Sequence, residues 1–478
     1  MFRRTVIGKH RTTSSISTVR PVHTQPHPPH LSLLADKCNS MHQLQQIHAQ
    51  MLVTATFHDN FAASRLLSFS ALSINGDVIY ASKLFNTIQQ PNMFMWNTLI
   101  RGFAISPNYP HEAMLLYVKM RRIGVTPGKH TFPFLLKACF NLRSAGSCKQ
   151  VHSHVVKVGF DLDFHVVNSL IRTYCGSSGL VFARQVFDEM PDRNVNVWTT
   201  IVCGYAQNDC AQEALALFNR MVGEGFEPSG PSLSSVLSAC AQSGCLDMGE
   251  KIHRYIVEKG FETEVILGTA LVNMYAKNGA ILLARHCFDN MPEKNIITWN
   301  VMISGLAVHG HAKEAIELFQ ELEKCHHVKP NDSTFVGVLS ACCHAGMLDF
   351  GRKIFNSMRD VNGIEPKIQH YGCMVDLLGR GGMVLEAEEL INRMPWQADL
   401  KILGALLSAC GSYGNIEVAE RVVKKMLVLE PDNHGVYVVL SNMYADAGRW
   451  DDVSRLREVM KDGSLKKTPG WSAGGDKD

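Results

Sequence analysis

The chain has 478 residues, 46% hydrophobic and 19% charged, with a formal net charge of +3. A single compact core would be unusual at that length, whereas an extended array has no such ceiling. Residues 1–30 carry five bases (Arg3, Arg4, Lys9, Arg11, Arg20) and no acid, which leaves 42 basic residues against 44 acidic ones in the body. A near-neutral body argues against nucleic-acid binding by bulk electrostatics alone.

Taken in chain order, the basic, Ser/Thr-rich and acid-free stretch 1–30 has the composition of an organellar transit peptide. A disordered basic terminus is the alternative. The Arg3-Arg4 pair favours mitochondria over chloroplasts. No apolar run reaches the ~18 residues of a membrane span, and no secretory signal is present, so no membrane partner is expected. The 14 cysteines read as thiols of a reducing compartment. Cys139, Cys240, Cys342 and Cys410 recur in phase and read as small buried packing residues.

From residue 31 onward the chain is periodic. Trp96, Trp198 and Trp299 are 102 and 101 residues apart, and Ala138-Cys139, Ala239-Cys240 and Ala341-Cys342 keep a second beat of 101 and 102. A fixed period means a repeat array. An incomplete block over about 31–92 precedes three full ones: 93–128, 129–163 and 164–194; 195–229, 230–264 and 265–295; 296–331, 332–367 and 368–399. Each unit reads as a helical hairpin. In 195–229 a first helix runs from Trp198 through Ala206, Asn208-Asp209 breaks the pattern, and Leu217, Phe218 and Met221 give a second helix its apolar face. Gly223, Gly225 and Pro228 end it. The short units end instead in Met190-Pro191, Met291-Pro292 and Met394-Pro395, where proline lacks the amide a helix needs. One hairpin cannot bury both of its apolar faces, so neighbours must stack. The expected fold is all-α, a right-handed superhelical solenoid of helix-turn-helix repeats.

The stretches 195–206 (Val-Asn-Val-Trp-Thr-Thr-Ile-Val-Cys-Gly-Tyr-Ala), 237–241 (Leu-Ser-Ala-Cys-Ala) and 370–380 (His-Tyr-Gly-Cys-Met-Val-Asp-Leu-Leu-Gly-Arg), together with the alternation of standard, long and short units, resemble plant pentatricopeptide repeat proteins of the class that mixes three repeat lengths. The resemblance runs from about 31 to 472. Residues 400–433, with Gly-Ala-Leu-Leu-Ser-Ala-Cys at 404–410, and 434–472, with Lys-Lys-Thr-Pro-Gly-Trp-Ser at 466–472, resemble the two extension motifs of the E subgroup, followed by a tail at 473–478. In that family these motifs are required for organellar C-to-U RNA editing. Longer members continue into a DYW-type deaminase domain. Such a deaminase needs a His-x-Glu and a Pro-Cys-x-x-Cys. Neither His-x-Glu nor Cys-x-x-Cys occurs here. The resemblance therefore implies a chain that is not itself an enzyme and uses no cofactor. It would act as a monomer on single-stranded organellar RNA, with a DYW-type deaminase and other editing factors supplied in trans.

The family offers one base to two or three side chains per repeat. By resemblance these are the fifth and last residues: Ser64 with Asn92, Asn97 with Gly128, Asn168 with Asn194, Thr199 with Ser229, Thr269 with Asn295, Asn300 with Asn331, and Gly372 with Asp399. Thr or Ser with Asn implies adenine, Asn with Asn a pyrimidine, and Thr199/Ser229 a purine. Gly128 departs from the usual Asp or Asn, which implies poor discrimination. Gly372/Asp399 is non-standard too, and in the family that unit lies a few nucleotides 5′ of the edited cytidine. The long units offer Pro133/Asp163, Ser234/Glu264 and Val336/Lys367 and read as spacers or weak readers. Phe94, Ile266 and Ile297 at second positions suit wedging between bases, whereas His165 and Asn196 do not.

Other readings stand beside these. A lone Asn or Thr at a helix start is commonly only a cap. The tryptophans suit packing more than base stacking, and His48, His152 and His253 recur as scaffold. In function, a splicing or transcript-stability factor needs only the RNA tract. A protein-interaction scaffold of tetratricopeptide type would repeat every 34 residues, which the alternating lengths disfavour.

Overall fold

The computed structural model describes residues 30–462, apart from 262, 263, 326, 432 and 434. The transit-peptide reading, the closing motif 466–472 and the tail 473–478 lie outside the described residues. Among the described residues the chain forms 26 α-helices, one 3-10 turn and no strand. Two compact units divide it, one ending at Asp192 and the other beginning at Arg193.

The first unit holds α1 (His30–Ala35), α2 (Met41–Val53), the 3-10 turn Thr56–His58, α3 (Asn60–Leu72), α4 (Val78–Thr87), α5 (Met93–Ile105), α6 (Pro110–Arg122), α7 (Thr131–Asn141), α8 (Ala145–Val158), α9 (Phe164–Gly176) and α10 (Leu180–Glu189). First helices α3, α5, α7 and α9 pack in a continuous row, and α4, α6 and α8 each lie between one first helix and the next. Helix starts are set by caps: Asp59, Asp77, Asn92, Ser144 and Asp163 accept first-turn amides of α3, α4, α5, α8 and α9. Met190 adopts extended backbone (φ −72°, ψ 122°), so α10 stops at Glu189. Proline disfavours the helical conformation in the residue before it, and the stop here falls one residue earlier than the missing amide alone would place it.

The second unit holds α11 (Val195–Gln207), α12 (Ala211–Gly223), α13 (Gly230–Ser243), α14 (Leu246–Lys259), α15 (Val265–Lys277), α16 (Ile281–Asn290), α17 (Ile296–Val308) and α18 (Ala312–Lys324). It continues with α19 (Asp332–Ala345), α20 (Leu348–Asp360), α21 (Ile368–Arg380), α22 (Val384–Asn392), α23 (Leu400–Tyr413), α24 (Ile416–Leu429), α25 (Gly435–Asp446) and α26 (Trp450–Asp462). The same row-and-backing pattern runs through it, from α11 against α13 to α23 against α25. Val375, Leu378, Leu406, Val422, Leu440 and Tyr444 share one core. The hairpins α23–α24 and α25–α26 thus extend the stack rather than forming a separate globule.

The recurring residues hold this packing together. Trp96 and Trp299 are buried and meet Phe85 and Phe288 edge-on, with centroids 4.6 and 5.0 Å apart. Trp198 is buried as well. Cys139, Cys240, Cys342 and Cys410 have no exposed surface. Burial pushes the thiols of Cys139 and Cys240 up to about 12 and those of Cys342 and Cys410 up to about 11, which suits packing and not thiolate chemistry. His48, His152 and His253 hydrogen-bond the hydroxyls of Tyr80, Tyr174 and Tyr275 at 2.7, 3.1 and 2.9 Å; the last two clasp a second helix to the following first helix, whereas His48 ties α2 to α4. Close approach of first helices needs glycine: a Cβ on Gly102 would lie 2.8 Å from the Ala71 carbonyl oxygen, and one on Gly305 would lie 2.8 Å from the Ala276 Cβ. No helix among the described residues is long and apolar enough to cross a membrane.

Candidate nucleic-acid interface

Except for Gly128, which lies two residues before the His130 cap of α7, the last residue of each unit from Asn92 onward stands at the N-cap of the next first helix, and its chemistry is set there. Asn92, Asn194, Asn295 and Asn331 accept the third amide of α5, α11, α17 and α19 on Oδ1, at 3.0, 3.0, 3.0 and 3.2 Å. Asp163 and Asp399 do the same for α9 and α23, at 3.2 and 2.9 Å to Val166 and Ile402. Capping consumes the amide oxygen of an Asn and turns its NH2 outward, while in an Asp the second carboxylate oxygen remains. The cap and the base-reading role are therefore compatible in one side chain. Asn presents donors and Asp presents an acceptor.

The fifth residues lie on the first helices, and several meet their partners. Thr199 and Ser229 share a hydroxyl–hydroxyl bond of 3.0 Å. Asn300 Nδ2 donates to Asn331 Oδ1 at 3.0 Å. Thr269 and Asn295 are joined through Thr298: the Thr269 and Thr298 hydroxyls are 2.7 Å apart, and Thr298 Oγ1 donates to Asn295 Oδ1 at 3.0 Å. Asn97 and Gly128 are joined through Thr131, which donates to Asn97 Oδ1 at 2.9 Å and accepts the Gly128 amide at 3.1 Å.

Other positions behave differently. Ser64 is only 7% exposed and spends its hydroxyl proton on the Phe61 carbonyl at 2.7 Å, so Asn92 is the solvent-facing member of that pair. Asn168 lies on α9 of the first unit and Asn194 caps α11 of the second. The Asn168 Oδ1 is buried without a hydrogen-bond partner. Gly372 and Asp399 border a cavity of about 390 Å³, also lined by Cys343, Cys373, Asp376 and Lys401. Among the long units, Lys367 is tied to Asp332 in an ion pair. The second-position residues Phe94, Ile266 and Ile297 are 57%, 69% and 59% exposed.

Reading the sequence for fifth and last residues misses Thr131, Ser232, Thr298 and Thr334, each fully buried and each three residues after a unit's last residue. The corresponding positions elsewhere are Met95, Val166, Val197, Leu267 and Ile402, with His370 in one unit. A hydroxyl recurring at a position that is apolar in five other units was the available signal.

Comparison with known proteins follows the same register. A model described as PPR repeat matches 94–125, 165–195, 197–226, 232–261, 269–296, 333–362 and 370–397, the PPR repeat family model matches 294–344, and a model described as E motif matches 413–473. The Arabidopsis thaliana pentatricopeptide repeat-containing protein At5g56310 is 38% identical over 470 residues, covering 91% of this chain and 88% of that protein. CRR2, a chloroplastic pentatricopeptide repeat-containing protein of the same plant, is 35% identical over 442 residues, covering 90% and 66%. Among solved structures, the pentatricopeptide repeat protein PPR10 in complex with an 18-nt psaJ RNA element superposes with a TM-score of 0.71 at 17% identity, over 91% of this chain and 64% of that one. The match is one of fold. With caps, hairpins and sequence relatives in agreement, the chain belongs to the pentatricopeptide repeat family, in the subgroup marked by the E motif.

Proposed function

We propose that this chain is a sequence-specific single-stranded RNA-binding protein that selects cytidines in organellar transcripts for C-to-U editing. The observation that carries the reading is the phased set of caps. At six unit boundaries an Asn or Asp is anchored by one polar atom, leaving the other for a base edge. Exposed Phe94, Ile266 and Ile297 sit at the second positions of units where a base would stack. The relative PPR10 has been solved with an RNA element, which supports the same use here. The E motif over 413–473 favours editing over splicing or transcript stability.

In this reading 31–399 is the RNA-reading array, 400–433 and 434–472 recruit a deaminase supplied in trans, and 1–30 directs import. One relative is named chloroplastic/mitochondrial and another chloroplastic. Arg3 and Arg4 favour the mitochondrion. The base order is adenine at Ser64/Asn92, pyrimidine at Asn168/Asn194, purine at Thr199/Ser229, adenine at Thr269/Asn295 and pyrimidine at Asn300/Asn331.

The test is sequencing of mitochondrial and chloroplast transcripts from a plant lacking the gene. Loss of C-to-U conversion downstream of a tract with that base order is the expected outcome. Intact editing with an unspliced or depleted transcript would reassign the function to RNA maturation. No binding of single-stranded RNA by the purified protein would leave a protein-interaction scaffold.

A further inference from the structure

Thr131, Ser232, Thr298 and Thr334 form capping contacts, but three of them do more than capping requires. Thr131, Thr298 and Thr334 each hydrogen-bond a fifth residue 29 to 34 positions earlier in the chain: Asn97 at 2.9 Å, Thr269 at 2.7 Å and Asn300 at 2.6 Å. Ser232 acts one step removed, accepting the Ser229 amide at 2.9 Å while Ser229 bonds Thr199. We propose that these buried hydroxyls are positioning residues for base specificity. Each holds its reading pair in one donor–acceptor arrangement before RNA arrives. The inference rests on the RNA-reading function proposed above.

The Asn300/Asn331 pair shows how the arrangement works. Thr334 Oγ1 accepts the Asn331 amide at 3.0 Å and has a single proton to give. Its shorter contact is to Asn300 Oδ1, at 2.6 Å against 3.2 Å to Asn331 Oδ1. Asn300 is thereby oriented with its oxygen inward, and its Nδ2 donates to Asn331 Oδ1 at 3.0 Å. The same Asn331 oxygen accepts the Thr334 amide at 3.2 Å. What remains for a ligand is donors: the second N–H of Asn300 and the NH2 of Asn331. A donor face matches the O2 carbonyl common to cytosine and uracil. An amide has two ends of nearly equal shape, and without the Thr334 hydroxyl only the single bond from Asn300 Nδ2 to Asn331 Oδ1 tells them apart. The flipped amide then becomes easier to reach, and discrimination falls although both reading residues are still present.

At the Asn97/Gly128 unit a fixed Asn97 should discriminate despite Gly128. Thr131 orients Asn97 without help from a side chain at 128. At Ser64 the residue three after the pair's last member is Met95, with no hydroxyl to offer, and Ser64 bonds its own helix instead.

The experiment uses the full chain and a randomised single-stranded RNA library, with bound sequences read to give a base preference at each position. Asn331→Asp identifies the RNA position under this unit, because it exchanges an outward NH2 for a carboxylate oxygen that can accept the N3–H of uracil, and the pyrimidine preference there should move towards uracil. Thr334→Val keeps the β-branched shape and removes the hydroxyl. It should flatten the preference at that one position by about two- to tenfold, the range one net hydrogen bond supports, and Thr334→Ser should restore it. Undiminished preference in Thr334→Val overturns the proposal, as does uniform flattening at every position, which marks a purely structural role. Should Thr334→Val not fold, Thr131→Val is read in the same way at the Asn97 position. A wild-type protein with no base preference anywhere removes the RNA-reading function and this inference with it. A wild type that discriminates while both Val variants discriminate equally well removes only the inference.

Discussion

Replacing Asn295 separates capping from base reading. Its Oδ1 accepts both the amide and the hydroxyl of Thr298, each at 3.0 Å, at the start of α17. Asn295→Ala removes both bonds, and loss of such a cap costs about 1 kcal/mol. That lowers the melting temperature by about 2–4 °C for a unit of this size. Asn295→Asp keeps an oxygen in the same place and adds a negative charge at a helix N-terminus, worth about 0.3–1 kcal/mol in favour of the fold. Its outward atom changes from donor to acceptor. Adenine presents the N1 acceptor on its pairing edge, whereas guanine presents N1–H and N2–H donors. The unit should therefore exchange adenine for guanine, with a discrimination change of about 1–3 kcal/mol, the range of a well-placed base contact. The assay is melting by circular dichroism beside library selection on wild type and both variants. If Asn295→Asp melts like wild type yet selects the same base, the outward group of the cap does not read RNA. If it melts as low as Asn295→Ala, the capping geometry is wrong.

Three further outcomes are expected. Thr269→Asn should move the preference of its unit from adenine towards pyrimidine, since an amide reaches farther than a hydroxyl and leaves room for a smaller base; an unchanged preference in the library selection refutes the register. Burial lowers the pKa of His48 and of His152 below the usual histidine value, in His152 against the opposing pull of Glu189 and Asp161. The unfolded chain then binds protons more readily than the folded one, so stability is full above about pH 6.5 and declines as pH falls through that value. His152→Gln should flatten this acid slope in melting curves, and an equal slope in the variant counts against the histidine clasp. Gly102→Val should destabilise the first unit by about 1–3 kcal/mol through overpacking against Ala71, measured by denaturant titration; a neutral result would mean that α5 and α3 are not held as closely as described.

Much of the fold was legible from local chemistry. Trp96, Trp198 and Trp299 mark a period because each stacked hairpin meets the same environment as its counterparts. Asn295 and Asn331 stand where a helix must find a partner for its first amides, and Pro191 steers Met190 out of the helix. Such choices depend on a few neighbouring residues, and the chain carries them in plain order.

The candidate site was legible only as a set of equivalent positions. Ser64 and Thr269 hold the same place in their units and both meet a carbonyl of their own helix, yet only Thr269 also reaches a hydroxyl on the next first helix, that of Thr298. Gly128 looked like a gap in the series, and Thr131 bridges it. Equivalence follows from the period, which sequence alone determines. The direction of each hydrogen bond depends on residues about 30 positions apart that only stacking brings within 3 Å, and on a single hydroxyl proton that can satisfy one acceptor at a time. That competition is decided in the tertiary structure.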